Sequence, residues 1–187
     1  MTKRLLFAIL GAPVVILAQA STTAAPAPAN PISTSQSKMY TMLSGVVVAA
    51  AEKMPEANYS FKPAADVRTF GQLVGHLADS QYYFCSSATG ENPPAAGMEK
   101  SKTSKADLVT GLKDSVAYCS KVYAAMTDAK GSEMTKMMNM EFARITVLAG
   151  NVAHDYEHYG NMSTYMRIKG IVPPTSEKSR TSSDGQK

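Results

Sequence analysis

Glycines and prolines in this 187-residue chain fall between long stretches of helical apolar spacing. That punctuation leaves room for little besides a few helices. Over residues 36–54, Met39, Leu43, Val46, Val47, Ala50 and Met54 form one apolar stripe, and Pro55 stops it. Residues 57–68 read as a loop, since Pro63 prevents a helix across them. A second helix opens at Thr69, where Thr69-Phe70-Gly71-Gln72 fits a capping box; Phe70, Leu73, Val74, Leu77 and Phe84 face its core side. Residues 86–103 are expected to form a long connection, with Asn92-Pro93-Pro94 and two glycines excluding a helix. A third helix covers 104–127, with Ser104 as N-cap and Leu108, Leu112, Val116, Cys119, Tyr123 and Met126 as its stripe. Residues 128–139 connect it to the last helix, whose start the methionines there could advance. The fourth helix covers 140–169, with Gly170 placed as its left-handed C′ residue and Pro173-Pro174 blocking continuation. No convincing period-two strand is found. The expected fold class is all-α, a four-helix bundle with a long crossover between helices two and three.

The two ends differ from this middle. Residues 1–20 combine Lys3 and Arg4, an apolar run over 5–17 and the small-x-small pattern Ala18-Gln19-Ala20, which reads as a signal peptide of an exported protein, periplasmic or secreted. The run is shorter than a membrane span, so no membrane association is expected once it is cleaved. Residues 21–35, rich in Ala, Pro, Ser and Thr, read as a disordered leader, and the polar residues 175–187 as a flexible tail. The folded domain is therefore expected over 36–174. Without Lys3 and Arg4 the formal charge falls from +4 to +2, and the remaining charges are scattered. Nothing here supports nucleic-acid binding.

The chain has three histidines, His76, His154 and His158. His154 and His158 are four residues apart, which places both rings on one helical face, together with Val147, Asn151, Asn161 and Tyr165. His76 lies in mid-helix beside the second apolar stripe, with Asp79 and Tyr83 on its face. Two imidazoles one turn apart, joined by a third from another helix, would bind one divalent metal (Zn, Ni or Fe) and leave positions open for water or substrate. The competing reading of His76 alone is a hydrogen-bonded core histidine. His154-Asp155-Tyr156-Glu157-His158 also spells H-x-x-E-H, the inverted zinc-protease motif, with Glu157 as base. That architecture needs an acidic ligand far downstream, and the one glutamate beyond His158 is Glu177, in the tail.

His76 within GHLADSQYYF, the block His154-x-x-x-His158-Tyr-Gly-Asn161, and the ending Tyr165-Met-Arg167-x-x-Gly170-x-x-Pro173-Pro174 together resemble the DinB-like superfamily of metal-binding four-helix bundles. The similarity covers about residues 36–174, with Asn161 standing where glutamine is usual. The resemblance implies an up-down-down-up bundle, a His₃ divalent site made by His76, His154 and His158, and often a homodimer. Characterised relatives include thiol-dependent transferases and isomerases, beside many members of unknown activity. Asp79, Asp155 and Glu157 are candidate partners for the ligand rings, Asp79 the best placed by helical phase. Tyr83, Asn151, Asn161 and Tyr165 are candidates for the pocket lining.

Cys85 and Cys119 form the sole cysteine pair. In an exported protein an even count suggests a disulfide, against the alternative of two buried thiols. They would sit at similar heights if helices two and three run parallel, as the long crossover and the resemblance both favour. Two functional readings stay open. One is a metal-dependent hydrolase or thiol transferase acting on a small molecule; the other is a non-catalytic binding or metal-scavenging module. A pocket open beside the histidines distinguishes them.

Overall fold

The structure, a computed structural model, describes residues 29–177; the expected signal peptide, most of the leader and all but the start of the tail lie outside the described residues. Four long helices carry the fold: α1 (Pro31–Lys53), α2 (Phe70–Thr89), α4 (Lys105–Ala125) and α6 (Arg144–Ile168). Two one-turn helices, α3 (Met98–Ser101) and α5 (Asp128–Gly131), and a hairpin of β1 (Met134–Met137) and β2 (Met140–Ala143) fill the connections.

Contacts fix the relative directions. Ser33 meets Asp128 and Lys105 meets the Glu52 carbonyl, so α1 and α4 are antiparallel. A Cβ on Gly71 would lie 3.3 Å from Leu108 near the two N-termini, and Cys85 meets Cys119 further along, so α2 and α4 are parallel. Arg144 reaches the Ala88 carbonyl and Tyr165 the Arg68 carbonyl, so α6 runs against α2. The order is up-down-down-up. The core is made by Leu43, Val47 and Ala50 of α1, Phe70, Val74 and Leu77 of α2, Leu108 and Leu112 of α4, and Leu148, Met162 and Met166 of α6. Tyr40 stacks on Tyr123 across it, with ring centroids 4.1 Å apart.

Several boundaries depart from the sequence expectation. α1 starts at Pro31, inside the stretch read as leader. Its first turn is capped from outside: the Asp128 carboxylate accepts from Ser33 N at 2.8 Å, Ser33 Oγ at 2.9 Å and Ile32 N at 3.2 Å. Asn30 Oδ1 returns the favour by accepting from Asp128 N at 3.0 Å. Two helix N-termini thus satisfy each other's free donors, which local composition does not reveal. α2 runs to Thr89, past the expected stop, and ends at Gly90 with φ 80°. The last connection and the first residues assigned to the fourth helix instead form the hairpin, turning at Met138 and Asn139 with φ 52° and 62°. Both central residues are left-handed, as a two-residue turn matched to strand twist requires. Thr135 Oγ1 donates to the Ser87 carbonyl at 2.7 Å and pins the hairpin to α2. At the other end, Ile171 N bonds Met166 O and Gly170 N bonds Arg167 O, closing α6 with the expected glycine at φ 71°. Thr175, placed in the tail by sequence, is held by Tyr159 at 2.8 Å.

Cys85 and Cys119 are joined as a disulfide, with Cα atoms 5.5 Å apart and a sequence separation of 34. The loop it closes holds the whole crossover. We expect the Cys85→Ala, Cys119→Ala double variant to lose about 3–4 kcal/mol of unfolding free energy, from the closed-loop entropy. Urea denaturation of both proteins measures this, and the slope should rise because the unlinked chain expands further when unfolded.

Candidate metal centre

The antiparallel packing of α2 on α6 brings His76 against His154 and His158. His154 Nε2 lies 3.1 Å from His76 Nε2 and 3.1 Å from His158 Nε2. One nitrogen from each ring falls within 4.8 Å of the other two. The site therefore forms where a mid-helix residue of α2 faces two successive turns of α6.

The other ring nitrogens show what orients each imidazole. His76 Nδ1 lies 3.0 Å from Glu99 Oε2; a carboxylate there accepts a hydrogen bond from Nδ1–H, which keeps the proton on Nδ1 and leaves the Nε2 lone pair facing the other rings. Glu99 is held in turn by Arg68, whose Nε donates to Oε1 at 2.8 Å. His158 Nδ1 is 3.3 Å from the Asn161 side-chain amide. His154 Nδ1 is buried with no hydrogen-bond partner among the described residues. That ring is positioned by packing, with the Phe84 centroid at 5.5 Å.

Burial, then the neighbouring rings of His158 and His76, push the His154 pKa down to about 4. His158 is also lowered, by burial first and His76 second. Arg68 adds to both shifts. Both rings thus favour the neutral form, His154 well below the usual histidine range, and that form offers a lone pair. Glu99 is lowered against the opposing effect of its burial, through Arg68 and His76.

Asp79, expected as the partner of His76, does something else. Its two carboxylate oxygens accept from Met98 N at 2.9 Å and Glu99 N at 3.0 Å, capping α3. Gly75 lets α3 come this close: a Cβ there would lie 2.7 Å from Glu99 Cα and 2.8 Å from Glu99 N. Asp79 and Gly75 seat the short helix, and the helix delivers Glu99. This overturns the reading of residues 86–103 as helix-free. It also identifies Glu99 and Arg68 as site residues missed from sequence. Their signal was slight, since a carboxylate 23 positions from His76 in an irregular connection has no helical phase to betray it.

The remaining candidates divide. Asn161 and Tyr165 line a cavity of about 580 Å³ together with Arg68, Gln72, Glu99 and His158. Tyr165 is anchored there by donating to the Arg68 carbonyl at 3.0 Å. Tyr83 is 38% exposed and packs on Phe84 rather than on the histidines. Asn151 is fully buried in the core, where its amide donates to Gln81 Oε1 at 3.0 Å and to Tyr123 Oη at 3.3 Å. Asp155 lies in the same buried network, accepting from Gln81 Nε2 at 2.6 Å, and burial pushes its pKa up to about 7. Glu157 borders the cavity, but the ring joining His154 and His158 is His76, so the H-x-x-E-H pattern is not part of an inverted zinc-protease site. A second cavity, about 610 Å³, lies beyond Glu99 against Tyr59, Lys100 and Lys102, and no histidine borders it.

The seating of α3 yields a direct test. Gly75→Ala should destabilise the fold by about 1–3 kcal/mol, because the new methyl meets backbone rather than a movable side chain. Gly45→Ala, with nothing within 4 Å, is the control and should stabilise by about 1 kcal/mol through helix propensity. Chemical denaturation of the two variants separates these signs.

Similarity to known proteins agrees with this geometry. The chain has the fold of a DinB-like protein from Bacillus cereus, at 15% identity and TM-score 0.68, covering 75% of this chain and 95% of that one. A DinB-like protein from Bacillus subtilis gives 20% identity and TM-score 0.63, covering 78% and 99%. A mycothiol-dependent maleylpyruvate isomerase gives 11% identity and TM-score 0.57, covering 72% of this chain and 65% of that one. No curated protein matches the sequence. Among the described residues, no helix is long and apolar enough to cross a membrane. The model of the DinB superfamily matches residues 42–162, the greater part of the bundle and both histidine-bearing helices, and the chain belongs to that superfamily.

Proposed function

We propose that the protein binds one divalent cation through Nε2 of His76, His154 and His158 and uses it to transform a small molecule held in the adjoining cavity. The observation that carries this reading is the pair of 3.1 Å Nε2–Nε2 contacts sharing His154. A neutral imidazole has at most one proton on Nε2 and cannot satisfy two such neighbours. With Nδ1 of His76 committed to Glu99, lone pairs face one another unless a cation lies among them. Nitrogens each about 2.0–2.1 Å from a common ion would be roughly 3–3.4 Å apart, which the two 3.1 Å contacts match.

Bound there, a cation would act as a Lewis acid that makes a nucleophile available at neutral pH. The chain supplies the rest. Glu99 fixes the tautomer and orientation of His76. Burial keeps His154 and His158 unprotonated. Tyr165, Asn161, Gln72 and Arg68 provide the polar wall against which a substrate is oriented. That open wall beside the rings supports catalysis over storage of the ion.

Hydrolysis is the reaction class favoured. The pattern over residues 1–20 and the Cys85–Cys119 disulfide support an exported protein, and an oxidising compartment suits water better than a low-molecular-weight thiol as nucleophile. The fold shared with a thiol-dependent isomerase favours thiol transfer as the second reading.

Metal analysis of the purified protein after loading should give one equivalent, falling to a trace in His154→Ala and His158→Ala. Equal, low content in all three overturns the proposal. Glu99→Gln should weaken the affinity about 10–100-fold while leaving the fold intact. The pH dependence follows from the depressed histidines: proton competition begins below their folded pKa values. Proton competition at His154 should therefore set in only as the pH approaches its value of about 4, so the affinity lost through that ligand appears well below the usual histidine range.

A further inference from the structure

Arg68 stands in the wall of the histidine-bordered cavity with only part of its guanidinium engaged. Nε donates to Glu99 Oε1 at 2.8 Å, and the backbone carbonyl accepts from Tyr165 Oη at 3.0 Å. The residue is clamped by both contacts, yet its side chain stays 41% exposed, and among the described residues neither Nη group has a protein acceptor. A guanidinium fork in that state is a ready receptor for a carboxylate, which it can meet with two parallel hydrogen bonds. The rest of the wall narrows the choice. Lys62, the other cation on the cavity, is turned to the Ala65 carbonyl at 2.6 Å. Asp66, Glu99 and Glu157 present negative charge. Arg68 is the cation of this wall that is fixed in place and presents a planar pair of donors, its two Nη groups, to the cavity.

Glu99 ties this receptor to the histidines. One of its oxygens holds Arg68 and the other holds His76, so a single carboxylate sets the spacing between the guanidinium and the three rings. We infer that Arg68 receives the carboxylate of an anionic substrate whose opposite end reaches the His76–His154–His158 centre, which makes Arg68 the specificity-determining residue of the cavity. The inference rests on the metal reading above and adds the substrate class.

The test uses the full-length mature protein loaded with Co²⁺, whose absorption reports thiolate binding independently of turnover. Three probes share one two-carbon spacing and differ in the charge of the far end: 3-mercaptopropionate, 2-mercaptoethanol and cysteamine. In the wild type, 3-mercaptopropionate should bind about ten-fold or more tightly than 2-mercaptoethanol, with cysteamine weakest. In Arg68→Met at saturating Co²⁺ the preference should fall to about one, and in Arg68→Lys it should be partly restored. A purely structural role for Arg68 would weaken all three probes together and leave their ratio unchanged. If the protein takes up no Co²⁺, the metal reading falls and this inference with it. If Co²⁺ binds and the wild type holds the three thiols equally, or Arg68→Met keeps the preference, the anionic-substrate inference alone is overturned.

Discussion

The close seating of α3 on α2 is the contact on which the rest of the site depends. A four-residue helix has no stability of its own, since nucleation costs more than so few hydrogen bonds return. It persists here because Asp79 satisfies two of its N-terminal donors and Gly75 leaves its backbone room to approach. Gly75, His76 and Asp79 lie within five positions of one another on α2. The stretch that carries a ring to the centre therefore also builds the support that aims that ring. Glu99 is the product of this arrangement, and through it Arg68 becomes part of the same unit.

Next to this exposed polar assembly lies a buried one. Gln81, Asn151, Asp155 and Tyr123 form a connected network in the core, and Asp155 is fully buried with no cationic partner among the described residues. Burial raises its pKa towards 7, so its charge is expensive at neutral pH, and the neighbouring His154 is shifted in the opposite sense by the same physical cause. Desolvation thus drives both groups towards neutrality. A centre that needs lone pairs rather than charges gains from such surroundings.

The long helices were legible because each carries an apolar stripe with recognisable punctuation: Pro55, the Thr69–Gln72 box, the Ser104 cap and Gly170. The shared face of His154 and His158 was legible for the same reason, since a four-residue spacing on a helix has one geometric meaning, whereas the place of His76 beside them was implied by the family resemblance. What escaped were features created by tertiary contact. The Asp128 cap on α1 joins residues 95 positions apart, and the α3 cap joins Asp79 to a connection that composition marks as irregular. The hairpin was hidden by four methionines, which suit helices at least as well as strands. Asn151 shows a different limit. Helical phase put it on the histidine face correctly, but phase says nothing of depth, and one turn before His154 that face has already entered the core.

The mutual capping of Asn30 and Asp128 has a geometric consequence for orientation. It fixes the first turn of α1 at the pole where α4 ends and α6 begins. The cavity opens at the other pole, beside the start of α2 and the later turns of α6. The amino end of α1 therefore lies on the side remote from the cavity mouth. A surface that met the bundle at that pole would leave the mouth facing outward, towards whatever diffuses past.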